Sequence, residues 1–427
     1  MGARSNAGLN NARAKVNKLF INYHSVRFYL DEERKEERTM KTKFTKFAAA
    51  AMAVVMAFAL AACGGGSNGG GSSEGGDNVL KLGGVGPITG PAALYGQAVE
   101  KGAKLAVEEI NAANPDGVQL SFDMQDDEHD AEKAINAYNK LVDDGMQVLV
   151  GTVTSTPCTA VATEADANRT FALTPSASAP DVTEGHDNVF QLCFSDPNQG
   201  VASAQYVLGN FADAKVGVIY NNSDNYSSGI FSKFKAEYKN AIEETTFTSD
   251  SATDFTAQLS TLKNAGVDLV FLPIYYTEAS IILDQAKKMD YAPKFFGCDG
   301  MDGILDLEGF DTSLAEGLML LTPYTPYSED AKSKAFTEAY QAAYNETPIQ
   351  FAADAYDCVY AIYEAFGKTG LETSASMEEI CEALIGVFTG DFTVSGVTAE
   401  SMKWNANGEV EKTPKVCEIQ DGKYVEK

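Results

Sequence analysis

From residue 79 onward the sequence predicts an α/β fold in two lobes, each a parallel sheet flanked by helices. Three observations lead there. Short apolar runs alternate with helical stretches, the pattern of parallel strands joined by crossover helices. The segment is about 350 residues long, more than one ordinary core organises. After nearly every apolar run comes a loop of small or hydroxyl residues, the place where open parallel sheets bind ligands.

The elements follow in order. Residues 79–84 read as a strand, and 97–111 as a helix with Val99, Ala103, Ala106, Val107 and Ile110 on one stripe. Val118, Leu120 and Phe122 alternate as a half-buried strand. A helix at 131–144 leads to a strand at 148–150, and a helix at 159–168 to a strand at 171–173. The alternation resumes with a strand at 216–220, a helix at 231–243, a strand at 269–272 and a helix at 278–289. Strands at 295–296 and 318–321 precede two long helices near 331–344 and 351–366. No repeat of 20–50 residues is visible.

The front of the chain is not fold. Residues 48–62 are apolar and follow Lys41, Lys43 and Lys46, a basic region and a hydrophobic stretch too short to span a bilayer. This signal begins at Met40, so residues 1–39, polar and without domain-like periodicity, read as a mis-assigned or disordered extension. The run Leu60-Ala61-Ala62-Cys63 resembles a bacterial lipobox, which implies cleavage before Cys63 and multiple acylation there. Residues 63–78 are then the lipidated cysteine and a Gly/Ser-rich tether.

From Cys63 onward 22 lysines and arginines face 55 acidic residues, a net charge of −33. Such a surface repels nucleic acid and anionic lipid headgroups, and no nucleic-acid partner is expected. Beyond Cys63 the cysteines (158, 193, 298, 358, 381 and 417) are widely spaced without C-x-x-C, and His24, His129 and His186 lie far apart. No metal or cofactor is expected. The carboxylates of "DMQDDEHD" lack the register of a calcium loop and read as a solvated turn before the 131 helix. Hydroxyls dominate the early strand-end loops, "GTVTSTPCTA" and "LTPSASAP" among them; tyrosines and Asp299 dominate the later ones. That inventory suits a ligand with an anionic end, a cationic end and an apolar body. Taken alone, Ser155 either faces an anion at a helix start or caps that helix. Asp299 either meets a cation or occupies an Asp-Gly turn.

"GPITGPAALYGQAVEKGAKLAVEEIN", "VLVGTVTSTPCTAVATEA", "ALTPSASAPDVT", "GVIYNNSDNYSSG", "FFGCDG" and "FAADAYD" together resemble the leucine/isoleucine/valine-binding proteins, extracytoplasmic receptors of branched-chain amino acid ABC importers. The resemblance implies the two-lobed type I periplasmic-binding-protein fold with three crossovers and a ligand cleft between lobes. Lobe 1 would comprise 79–196 plus 324–398, and lobe 2 would comprise 197–323 plus 399–427. The resemblance also implies that Ser155 and Ser178 supply hydroxyls and Ser176 backbone groups to the ligand. Asp299, where the family usually has Glu, would take the α-ammonium; Tyr95, Tyr226, Tyr275 and Phe351 would wall the pocket. Val153, Thr154 and Tyr276 would tune side-chain preference. The expected partners are an amino acid, most simply an aliphatic one, the permease subunits, and the membrane through the lipid anchor; the expected state is a monomer. Two other ligand or activity classes stay open: a receptor for an amide, urea or aromatic acid, and a hydrolase using Ser155 or Cys158, for which no general base is evident.

Overall fold

A computed structural model describes residues 78–427. The 1–39 extension, the 40–62 signal, Cys63 and the tether up to residue 77 lie outside the described residues.

Two sheets organise the chain. The first contains β1 (Val79–Gly86), β2 (Gln119–Asp126), β3 (Val148–Val150), β4 (Phe171–Thr174) and β5 (Val189–Gln191), all parallel in the order β2-β1-β3-β4-β5. Its crossover helices are α1 (Ala93–Ala113), α2 (Ala131–Asp143) and α3 (Ser155–Ala167). α4 (Asp196–Asn210) opens the second lobe. Its sheet contains β6 (Val216–Asn221), β7 (Ile242–Phe247), β8 (Leu269–Leu272), β9 (Lys294–Gly297), β10 (Met319–Thr322), β11 (Lys415–Gln420) and β12 (Lys423–Glu426). The strand order is β12-β11-β10-β9-β8-β6-β7, crossed by α5 (Asn225–Glu237), α6 (Thr256–Ala265) and α7 (Tyr276–Lys288). The chain then returns to the first lobe through α8 (Ala331–Tyr344), α9 (Gln350–Thr369) and α10 (Met377–Phe388). α9 lies directly along α1: a Cβ on Gly102 would sit 2.1 Å from the Ala352 carbonyl oxygen, so only glycine permits that approach.

Several elements differ from the sequence reading, each for a local reason. The helix expected at 231–243 ends at Glu237, and 242–247 becomes β7 instead. β7 is an edge strand of mixed exposure, so it shows no apolar run. The sequence reading does not contain β5, α4, α6 or α10. β11 and β12 form an antiparallel hairpin beside β10, so the second sheet is parallel only from β7 to β10. Residues 399–412, which the sequence reading gives to the second lobe, stay beside the first sheet, and only the β11–β12 hairpin beyond them joins the second. Met402 pairs with Val394, the Trp404 indole donates to the Gln191 carbonyl at 2.7 Å, and Gln191 N–H donates to Gly408 at 2.8 Å.

The chain passes between lobes three times, at 192–195, at 323–330 and just after Lys412. Lys412 ties two of these passages together. Its ammonium donates to Asp354 Oδ1 of α9 at 2.7 Å and to the Leu192 carbonyl at 3.3 Å, and both side chains of the ion pair are fully buried. Burial pushes the Asp354 carboxyl up to about 6, against the pull of Lys412. The six described cysteines are all buried and all unpaired. At pH 8, Lys412→Met is expected to lower the unfolding free energy by about 3–5 kcal/mol, because it strands a buried carboxylate, whereas Lys412→Met with Asp354→Leu should recover most of the loss. Urea titrations of the three proteins check this; equal losses in the single and double variants would assign the effect to packing alone.

Candidate ligand-binding site

Strand order reverses between β1 and β3 in the first sheet and between β6 and β8 in the second, and loops at such switch points form binding crevices. The two crevices face each other. Tyr95, in the first turn of α1, donates its hydroxyl across the cleft to the Gly300 carbonyl at 2.6 Å and accepts from Tyr276 N–H at 3.3 Å. Thr277 Oγ1 donates to the Pro91 carbonyl at 2.6 Å, and Leu94 N–H donates to the Tyr276 hydroxyl at 3.2 Å. The lobes are closed on one another.

The first lobe presents a cradle of donors. Thr154, not Ser155, is the N-cap of α3, so Ser155 is not consumed by capping. Its Oγ accepts from the N–H groups of Ser178 and Ala179, each at 3.2 Å, which leaves the hydroxyl proton for an acceptor beside the helix N-terminus. The loop after β4 is held rigidly. Ser176 Oγ donates to the Val153 carbonyl at 2.7 Å, Thr174 Oγ1 accepts from Ala177 N–H at 3.0 Å, and Gln191 Nε2 donates to the carbonyls of Ala177 and Ala179. Ser178 Oγ is buried without a partner.

The second lobe presents acceptors and aromatic faces. Tyr226, in the first turn of α5, donates to Asp299 Oδ1 at 2.7 Å and accepts from Gly300 N–H at 2.9 Å. A Cβ on Gly300 would lie 2.8 Å from that hydroxyl, so the Asp-Gly pair is built around Tyr226. Asp299 N–H donates to Gln199 Oε1 at 3.1 Å, and its carbonyl accepts from Gln350 Nε2 at 2.9 Å. Burial raises its carboxyl to about 6, with the Tyr226 and Gln199 bonds opposing. Tyr275 stacks on Tyr226 at 4.8 Å between ring centres, and its hydroxyl is buried without a partner. Tyr95 stacks on Phe351 at 4.2 Å and meets Tyr275 edge-on at 5.7 Å.

All eight expected residues therefore adjoin one cleft. The sequence reading missed others that share it. Asp196 opens α4; both its carboxylate oxygens are buried without a partner, while its N–H binds the Ser178 carbonyl at 2.9 Å. Burial pushes its carboxyl well above the usual range, and the charge of Asp299 adds to the rise. Its signal was in the sequence: "SDPNQG" places Pro at a helix start behind Asp. His129 is the second omission. The turn before α2 is solvated at Glu128 and at Asp130, which caps that helix, but Asp127 within it is fully buried, and the His129 ring bonds Thr154 Oγ1 at 2.9 Å and abuts Tyr275. Burial lowers the His129 pKa, and Asp224 across the cleft opposes that shift. Asp224 caps α5 and accepts from Thr156 at 3.2 Å. The buried Glu278 carboxyl is raised to about 7 by desolvation.

Two α/β lobes closed on a buried cleft, donors on one wall and carboxylates on the other, are the architecture of a protein that clamps a small polar ligand. The chain belongs to the periplasmic binding protein family, which matches residues 79–420. It is 30% identical over 312 residues to the leucine-, isoleucine-, valine-, threonine- and alanine-binding protein of Pseudomonas aeruginosa, covering 72% of this chain and 82% of that one. A Leu/Ile/Val-binding protein of Rhizobium johnstonii is 32% identical over 306 residues, covering 70% and 81%. Among solved structures, the isoleucine-bound branched-chain amino acid transporter substrate-binding protein of Streptococcus pneumoniae superposes with a TM-score of 0.73 at 31% identity, over 81% of this chain and 97% of that one. A leucine-binding protein of Thermotoga maritima gives 0.72 at 26%, over 82% and 97%.

Tyr226→Phe is expected to raise the Asp299 pKa above about 6, since it removes a bond that favours the carboxylate. It should also cost about 1–3 kcal/mol of stability by orphaning Gly300 N–H. An NMR titration of labelled aspartate with a parallel thermal melt checks both; an unmoved Asp299 pKa would show the tyrosine hydroxyl to be irrelevant to that charge.

Proposed function

We propose that this chain is the extracytoplasmic receptor of an ABC importer and captures an α-amino acid, most simply a branched-chain aliphatic one, for delivery to the permease. One observation carries the reading: the cleft has unfilled partners for both ends of a zwitterion. The Ser155 hydroxyl and the α3 N-terminus suit an α-carboxylate. Asp299, Asp196 and Ser178, two buried carboxylates and an unpartnered hydroxyl, suit an α-ammonium. The rings of Tyr95, Tyr275 and Phe351 offer an apolar wall for the side chain. The relatives' names and the isoleucine in the pneumococcal complex point to the same ligand class.

The rival readings fit less well. An aromatic acid or a neutral amide brings no cation to two buried aspartates. A hydrolase would need a base near its nucleophile. The Ser155 hydroxyl instead accepts from two backbone N–H groups, and burial raises the Cys158 thiol to about 11. In this reading Cys63, released by cleavage of the 40–62 signal, carries the acyl chains that hold a monomeric receptor to the membrane through its tether.

Calorimetry with isoleucine tests the ligand class. Asp299→Asn breaks one side of a buried ion pair, which costs about 3–5 kcal/mol, so affinity should fall at least about a hundredfold. N-acetylisoleucine, which lacks the cation, should bind the wild type poorly and lose far less on substitution. Unchanged isoleucine affinity in Asp299→Asn would remove the ammonium role. For the anchor, labelled palmitate should enter the precursor and be lost in Cys63→Ala; persistent labelling would refute lipidation at that residue.

A further inference from the structure

Asp302 belongs to the second lobe, three residues beyond Asp299, yet its principal bond is to the first. Its Oδ2 accepts the backbone N–H of Gln350 at 2.7 Å, and Gln350 is the first residue of α9. That helix has no cap from its own lobe: its N-cap is Ile349, which has no side-chain cap bond. A helix of 20 residues therefore starts with its N-terminal dipole met by a carboxylate from across the cleft. The other oxygen, Oδ1, accepts Gly303 N–H at 3.0 Å, which fixes the carboxylate plane, and the Tyr424 hydroxyl abuts the same turn. The side chain is fully enclosed, at 3% exposure.

The same residue of α9 is gripped a second time, because Gln350 Nε2 donates to the Asp299 carbonyl at 2.9 Å. The short loop after β9 thus has two faces. Asp299 turns its carboxylate toward the ligand cleft, while its carbonyl and the Asp302 carboxylate hold the start of α9. Phe351, next in sequence, stacks on Tyr95, whose hydroxyl returns to the Gly300 carbonyl of that loop. The ring of contacts runs from the ammonium-side loop to the first lobe and back without passing through the ligand.

We infer that Asp302 is a positioning residue for ligand capture: by capping α9 across the cleft it stabilises the closed state and sets the ligand's residence time without touching the ligand. The inference rests on the reading that the lobes hinge around the captured solute. Separating the lobes breaks both Gln350 bonds and leaves the α9 N-terminus to water. Closing restores them, so the cap acts on the closed state alone. Its signature is kinetic. Loss of the cap should speed release and leave association nearly unchanged.

The test uses the whole mature chain with spin labels on exposed cysteines introduced at Lys140 and Lys239, so that lobe separation is read by electron–electron resonance with and without isoleucine. Stopped-flow measurements give the isoleucine rate constants. Asp302→Ala is expected to lower the closed fraction without ligand and to raise the isoleucine off-rate about tenfold, with the on-rate within about twofold. Asp302→Asn keeps an acceptor oxygen for Gln350 N–H and should stay within about threefold of wild type, which also provides a folded variant if the alanine protein is unstable. If both variants match wild type in closed fraction and off-rate, the cap is overturned. A wild type that neither binds isoleucine nor closes without it overturns the cap as well. A wild type that closes but does not bind isoleucine defeats only the amino-acid reading: the fall in closed fraction in Asp302→Ala then still supports the cap.

Discussion

The cleft gathers buried carboxyl groups that the protein pairs with no lysine or arginine among the described residues, and burial holds each of them against ionising. Asp196, Asp224, Glu278, Asp299 and Asp302 all come from the second lobe, and desolvation raises the carboxyl pKa of each. Among the described residues, none of these five carboxylates forms a salt bridge with a lysine or arginine. Burying a carboxylate without a cation costs several kcal/mol even after relaxation. The first lobe answers with weaker currency: hydroxyls, backbone N–H groups, one imidazole and the N-termini of α3 and α9. That answer suffices for Asp224 and Asp302, which are bonded, but not for Asp196, whose two oxygens have no partner. In the proposed reading, an ammonium-bearing ligand supplies the cation that these carboxyls lack, and its arrival would favour their charged form.

The architecture makes that arrangement possible because sheet topology, not any single contact, brings the loops together. Each sheet reverses its strand order once, and the loops on either side of the reversal carry Tyr95 and Ser155 in one lobe, Tyr226 and Tyr275 in the other. The hinge is handled separately. Lys412, among the described residues the one cation fully buried in an ion pair, is bound to Asp354 and the Leu192 carbonyl, where it fastens two interlobe passages. Positive charge is placed where the lobes must stay joined and withheld where they must come together around something else.

Much of this was legible in the sequence, and the boundary of legibility has physical causes. Strands buried on both faces, such as 148–150 and 269–272, announce themselves by continuous apolar runs, and their loops by hydroxyls. Edge strands do not: β7 and the β11–β12 hairpin are half exposed, and their periodicity is weak. Among site residues, those matching a loop motif were readable, Ser155, Ser178 and Asp299 included. Asp196, His129 and Asp302 were not, because an acidic or imidazole side chain in a polar loop looks solvated until the opposite lobe is in place to bury it. Their roles are properties of the interface, and no local window of sequence contains both of its sides.

The six thiols described in the fold carry one more implication. Each is buried and unpaired, and none lies in a strained or exposed position that would invite oxidation. A fold built this way asks no oxidase to join its described thiols. With no disulfide among the described residues, the fold from residue 78 onward has no redox bond for a reductant to cut, and its cohesion rests on packing and hydrogen bonds alone.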